Sequence, residues 1–181
     1  PPTGGLPPRS SAAFPGDTPL APAARLRHAL RRLAVLGFRG NSAAAIACAL
    51  AAIKMAQTQK APAAEQTSWL ELARAHRVAS DYPAALGAAL AGLSLARERG
   101  DAQGIALALI RAASGHLFQG DYEPALANLH EDRETAQRAG NRAQLIMVGS
   151  SESVVCHEQG RFTHPHANPD PGWENAAALV L

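Results

Sequence analysis

His76 and His116 stand forty residues apart, and Cys156 continues the same row after forty more. Imidazole nitrogens and thiolates are the donors that zinc takes, so the row invites a metal or catalytic reading. A denser group follows, in which Cys156, His157, His164 and His166 bring four donors close together in sequence. Their spacing fits no familiar zinc module, and Pro165 interrupts it. Gly149-Ser150-Ser151-Glu152-Ser153 has the outline of a nucleophile elbow, whose chemistry needs a strand ahead of a sharp turn to expose the serine. No Gly-rich phosphate loop follows a plausible strand. Which of these groups could act depends on the elements that carry them.

Apolar residues make up 47% of the chain but aromatic ones only 4%, so the core must be built from Ala and Leu. Such a composition suits closely packed helices, whereas a sheet would call for Val, Ile, Thr and Tyr. From Pro1 to Pro22 seven prolines recur among Gly and Ser, which forbids a regular element, and residues 1–22 read as a disordered leader. A chain that opens at Pro1 without Met reads as either a processed chain or a fragment of something larger, the fragment being the favoured reading.

From Ala23 onward apolar residues recur at three- and four-residue spacing, as in amphipathic helices. Breaks at 38–41, 78–81, 118–121 and 158–161 cut this pattern every forty residues. The same shift aligns Tyr82, Tyr122 and Phe162 in one column, Ala45, Ala85 and Ala125 in another, and Ala56, Ala96 and Ala136 in a third. Further breaks halfway between, at Ala61-Pro62, Gly100-Asp101 and Gly140-Asn141, divide each unit into two helices. The spacing predicts helices at 23–38, 42–59, 63–79, 83–99, 102–118, 122–139 and 141–158. Glycines of the breaks suit left-handed helix ends, and Asp81, Asp101, Asp121 and Asn141 stand where they can cap the next helix.

Against this frame the candidate chemistry thins out. Stacked helices lie about 10 Å apart, too far for His76, His116 and Cys156 to share a metal with bonds near 2 Å. They are better read as packing residues between helices, and the serine run falls inside a predicted helix. Cys48 and Cys156 read as buried, reduced thiols in a cytoplasmic protein. No apolar stretch is long enough to cross a bilayer. A net charge of +2 is far from the dense cationic face of most nucleic-acid binders, so nucleic acid is an unlikely partner.

Gly120-Asp121-Tyr122-Glu123-Pro124-Ala125-Leu126 and Ser80-Asp81-Tyr82-Pro83-Ala84-Ala85-Leu86 carry a resemblance, together with Trp69, Leu72 and Ala73 ahead of the second. Over about Ala23 to Phe162 the chain resembles the tetratricopeptide repeat family. Its period of forty exceeds the family's usual length of about 34 residues. Ser42 stands in place of the turn Tyr in the first unit, and Gly149 in place of Trp69 in the fourth. The resemblance implies an all-α superhelix of three full helix pairs and an incomplete fourth within residues 23–162, with a concave groove lined by the first helix of each pair. It further implies a scaffold or sensor that binds a protein or peptide, as part of a larger bacterial regulatory protein, without cofactor or catalysis. On that arrangement Arg27, Arg31, Arg74, Arg77 and Arg111 face the groove with few carboxylates among them, and Phe38, Leu107, Leu117 and Phe118 supply apolar contacts. The Lys and Asn set with which chaperone-binding members clamp a terminal carboxylate is absent. The competing classes are a helical enzyme or metal-dependent protein with a His-containing pocket, and a weak nucleic-acid binder.

Residues 163–181 form a proline-rich tail in which the second helix of the fourth unit is interrupted by Pro165, Pro169 and Pro171. Leu145, Ile146 and Val154 are then left exposed, unless Trp173 to Leu181 or a second copy of the chain covers them.

Overall fold

The computed structural model describes residues 21–38 and 41–160, and these form seven α-helices with no strand among them. The helices are α1 (Pro22–Phe38), α2 (Ser42–Thr58), α3 (Pro62–Val78), α4 (Tyr82–Glu98), α5 (Ala102–Leu117), α6 (Tyr122–Arg138) and α7 (Arg142–Glu158). Each begins twenty residues after the last, so the forty-residue unit is a helix pair. Pro62 opens α3 at its first turn, where a missing N–H costs nothing and φ is already helical. The leader and the tail lie outside the described residues, as does the proposed cover from Trp173 to Leu181.

One turn design recurs at every described junction and explains the spacing. Lys60, Ser80, Gly100, Gly120, Gly140 and Gly160 all have positive φ. The next residue sends its N–H back across the turn, Asp81 to the His76 carbonyl and Asp101 to the Ala96 carbonyl, each at 2.9 Å. These bonds satisfy carbonyls that a helix end leaves without partners. That same residue then starts the next helix: Asn41, Asp81, Asp101 and Asn141 each accept an N–H three residues on. Asp121 departs from the expectation. It occupies the cap position but makes no side-chain cap bond, and its carboxylate lies 3.7 Å from His116 instead.

Lys60 and Ser80 are the two described turn residues at positive φ that carry a Cβ. The left-handed conformation costs an L-residue about 1–2 kcal/mol, part of which glycine returns as lost chain entropy. Ser80→Gly should therefore raise stability by about 0.5–1 kcal/mol, measured as a higher urea midpoint at unchanged slope.

Helix pairs stack through a series of buried clusters. Leu33 of α1, Ile53 of α2, Leu72 of α3, Ala89 of α4 and Ala112 of α5 belong to one buried cluster. Ala113, Leu129, Val148 and Val155 carry the core onward through α5, α6 and α7. Ala45, Ala85 and Ala125 are all buried, as their shared column predicts. Polar groups fix the register between pairs. Buried Gln66 of α3 donates to Asp101 at 2.7 Å and accepts from Arg99, tying α3 to the turn between α4 and α5.

The last joint is more polar than the others. Arg133 of α6 binds Glu152 of α7, and Asp132 accepts a hydrogen bond from Gln144 at 2.7 Å. Asp132 is 0% exposed, its other carboxylate oxygen has no partner, and it fills the column of Ala52 and Gly92. Burial raises its carboxyl pKa; the Gln144 bond opposes this and the Glu131 charge adds to it. A raised folded-state value favours the protonated fold at low pH, and that advantage is lost as pH rises through the raised value. Ionised Asp132 is thus a cost at neutral pH. Asp132→Ala should stabilise by about 1 kcal/mol there, the gain shrinking in acid; thermal melts across pH on both proteins check it.

Candidate partner-binding face

Helix contacts define an inner side. α1 meets α3, α3 meets α5 and α5 meets α7 with Cα atoms within 8 Å, whereas no such approach joins α2 to α4 or α4 to α6. Stacked pairs whose first helices crowd together and whose second helices diverge curve toward the first. The odd-numbered helices therefore line the concave face, where the predicted site residues belong.

At its centre Glu71 of α3 accepts from Arg74 Nε at 2.9 Å and Nη2 at 2.6 Å. Its second oxygen accepts from Arg111 Nη2 of α5 at 3.4 Å. Arg111 stands forty residues after Glu71, in the same column one pair further on. Its side chain is only 16% exposed, and its Nε is buried without an acceptor among the described residues. Burial lowers the Arg111 pKa from its ordinary value, Glu71 pulls it up, and the charges of Arg74 and Arg77 push it down. Two guanidinium groups thus converge on one carboxylate, and the charge of Arg77 acts on Arg111 beside them. Sequence reasoning placed the arginines here but did not single out Glu71, although the column Arg31, Glu71, Arg111 carried the signal.

Arg27 and Arg31 are exposed on α1 and make no ion pair among the described residues. Leu107, one turn before Arg111, is 40% exposed, and Met147 holds the same column on α7 at 52%. Phe118 is half exposed at the end of α5 and stacks on Tyr82, with ring centroids 4.8 Å apart. Leu117 is half-buried and packs against the buried cluster of α5, α6 and α7. The side chain of Phe38 lies outside the described residues.

The other sequence candidates resolve into structural roles. His76 Nδ1 lies 3.2 Å from Asp81, and His116 holds the matching place beside Asp121, so each histidine lies beside the carboxylate of its own turn. No cluster of three or more metal-type donors forms among the described residues, and His164 and His166 lie outside them. Ser150, Ser151 and Ser153 lie within α7 and bond carbonyls four residues back, at 3.0, 3.0 and 2.9 Å. Both cysteines are free but half-buried, not fully buried as the sequence suggests. Cys48 donates to the Ala29 carbonyl, and burial raises its thiol pKa, with Arg32 opposing. At the far end Ile146 and Val154 are exposed as expected, while Leu145 is half-buried. No described helix is long and apolar enough to cross a membrane.

Comparison with models of known protein families gives no match, and comparison with curated proteins gives none at a significant level.

Proposed function

We propose that this chain is a tetratricopeptide-like module that binds a segment of another protein along the concave face of its odd-numbered helices. The observation that carries this reading is the convergence of Arg74 and Arg111 on Glu71, within reach of the Arg77 charge and one turn from exposed Leu107. Solvent-facing apolar side chains next to arginine forks are the composition of protein-binding surfaces, in which Arg and large apolar groups are enriched. A shallow face shared by several stacked helices suits an extended or helical segment better than a small molecule. In this reading the chain is a docking or sensing arm of a larger regulatory protein and not itself a catalyst.

The test compares two faces of one protein. Arg74→Glu with Arg77→Glu should abolish capture of a protein partner, while Leu90→Glu on the outer side of α4 leaves capture intact. Circular dichroism must first show that both variants retain wild-type helicity. Capture that survives the double reversal moves the binding surface elsewhere.

A further inference from the structure

Charge on α1, α3 and α5 of the concave face is out of balance in a way that specifies a ligand. Neither α1 nor α5 contains an Asp or Glu. On α3 the carboxylates are Glu65 and Glu71, and Glu65 is engaged away from the arginines, accepting from Gln57 of α2 at 2.8 Å. Glu71 alone therefore serves Arg74 and Arg111, with the charge of Arg77 also acting on Arg111. The service is unequal: Arg74 holds Glu71 through two nitrogens, whereas Arg111 has one contact of 3.4 Å. A guanidinium taken largely out of water with an unmatched Nε is a costly arrangement unless a further acceptor completes it.

We infer that Glu71 is a built-in placeholder for a carboxylate of the partner, and that Arg74, Arg77 and Arg111 form the subsite for an Asp or Glu side chain on an amphipathic segment. This rests on the concave-face reading above. The arriving carboxylate competes with Glu71 for the guanidinium groups of Arg74 and Arg111. Exposed Leu107 next to the cluster suits the apolar residues of such a segment, and a phosphate backbone would have no use for it. The mild charge of the whole chain likewise lacks the basic stripe along which a nucleic acid lies.

The prediction separates Glu71 from an ordinary structural carboxylate, because stability and binding should move in opposite directions. The probe is a fluorescein-labelled peptide of Glu-Glu-Leu-Leu repeats, read by anisotropy, beside its Gln-Gln-Leu-Leu counterpart and a labelled oligothymidine. Glu71→Gln should melt below wild type, since Arg111 loses its one charge partner among the described residues, yet bind the acidic peptide about tenfold more tightly because the competing charge is gone. Arg111→Gln should bind about tenfold more weakly, with partial recovery in Arg111→Lys. Exposed Arg77→Gln should weaken binding without moving the melting temperature, which covers the case in which Arg111→Gln does not fold. Unchanged or weaker peptide binding by Glu71→Gln overturns the inference. So does equal binding of the Gln peptide or of oligothymidine, or no binding by either wild type or Glu71→Gln. If partner capture is lost in Leu107→Ser but kept in Arg111→Gln and Arg77→Gln, the concave-face reading stands and the carboxylate subsite falls.

Discussion

Leu109→Ala should cost about 2–5 kcal/mol of stability, the range for emptying a buried leucine site that cannot collapse. Leu109 is 0% exposed on α5 and belongs to a buried cluster with Leu70 of α3 and Leu93 of α4. It therefore joins two helix pairs and not merely two helices. Stability in stacked repeats is approximately a sum of unit terms and nearest-neighbour interface terms. A cavity at this joint should weaken the coupling between α1–α4 and α5–α7. Chemical denaturation of the variant should then broaden or split, and amide exchange should accelerate in α5, α6 and α7 more than in α2 and α3. Leu26→Ala, at the first helix, removes the same atoms from the end of the stack and should cost less. Equal losses at the two sites would show that the joint has no special place in the fold.

How much of this was legible in the sequence follows from where the determinants sit. Helix boundaries were readable to within one residue because the junctions repeat a local grammar: a residue at positive φ, followed at most of them by Asp or Asn at the cap position. Ser80 and Lys60 fill the same place without glycine, and there the twenty-residue interval located the turn where composition did not. Arg74 and Arg111 could be assigned to the concave face by their columns. Their mutual partner could not be assigned by looking for neighbours in sequence, since the Arg111 to Glu71 pair spans forty residues and depends on how closely α3 and α5 stack. Reading the column across units for alternating charge would have found it. Asp132 carried a similar signal, a charged residue in a column otherwise held by Ala52 and Gly92. Whether Leu117 or Phe118 faces solvent was beyond the pattern, because adjacent residues at a helix end divide between core and surface according to the next helix's approach. Phe118 rests on Tyr82 at the start of α4, and Leu117 packs against the buried cluster that α5 shares with α6 and α7.

A close backbone approach between α4 and α5 also lay beyond sequence reasoning, and it sets the second large effect. Gly115→Val should destabilise by about 2–3 kcal/mol through overpacking. A Cβ on Gly115 would meet the Leu86 Cβ at 3.0 Å and its Cα at 3.2 Å, so the obstacle includes the backbone of α4 and not a movable side-chain tip. Neighbouring units hold Ala75 and Val155 in the same column, both buried, so the glycine at this position is particular to the α4–α5 crossing. Gly115→Ala is the informative intermediate. Helix propensity gains up to about 1 kcal/mol from the added methyl, while the tight contact takes back a comparable amount, so its net change should be small. Valine adds two more carbons and a β-branch, and the helices must part to admit them. Because Phe118 stands one turn beyond Gly115 and stacks on Tyr82 of α4, separation of the two helices should also break that ring contact. Near-ultraviolet circular dichroism of Gly115→Val should then lose tyrosine and phenylalanine signal while far-ultraviolet helicity persists. A variant that melts lower with its aromatic signal intact would place the strain elsewhere than at the α4–α5 crossing. A variant that loses both the aromatic signal and partner capture would connect this glycine to the shape of the concave face.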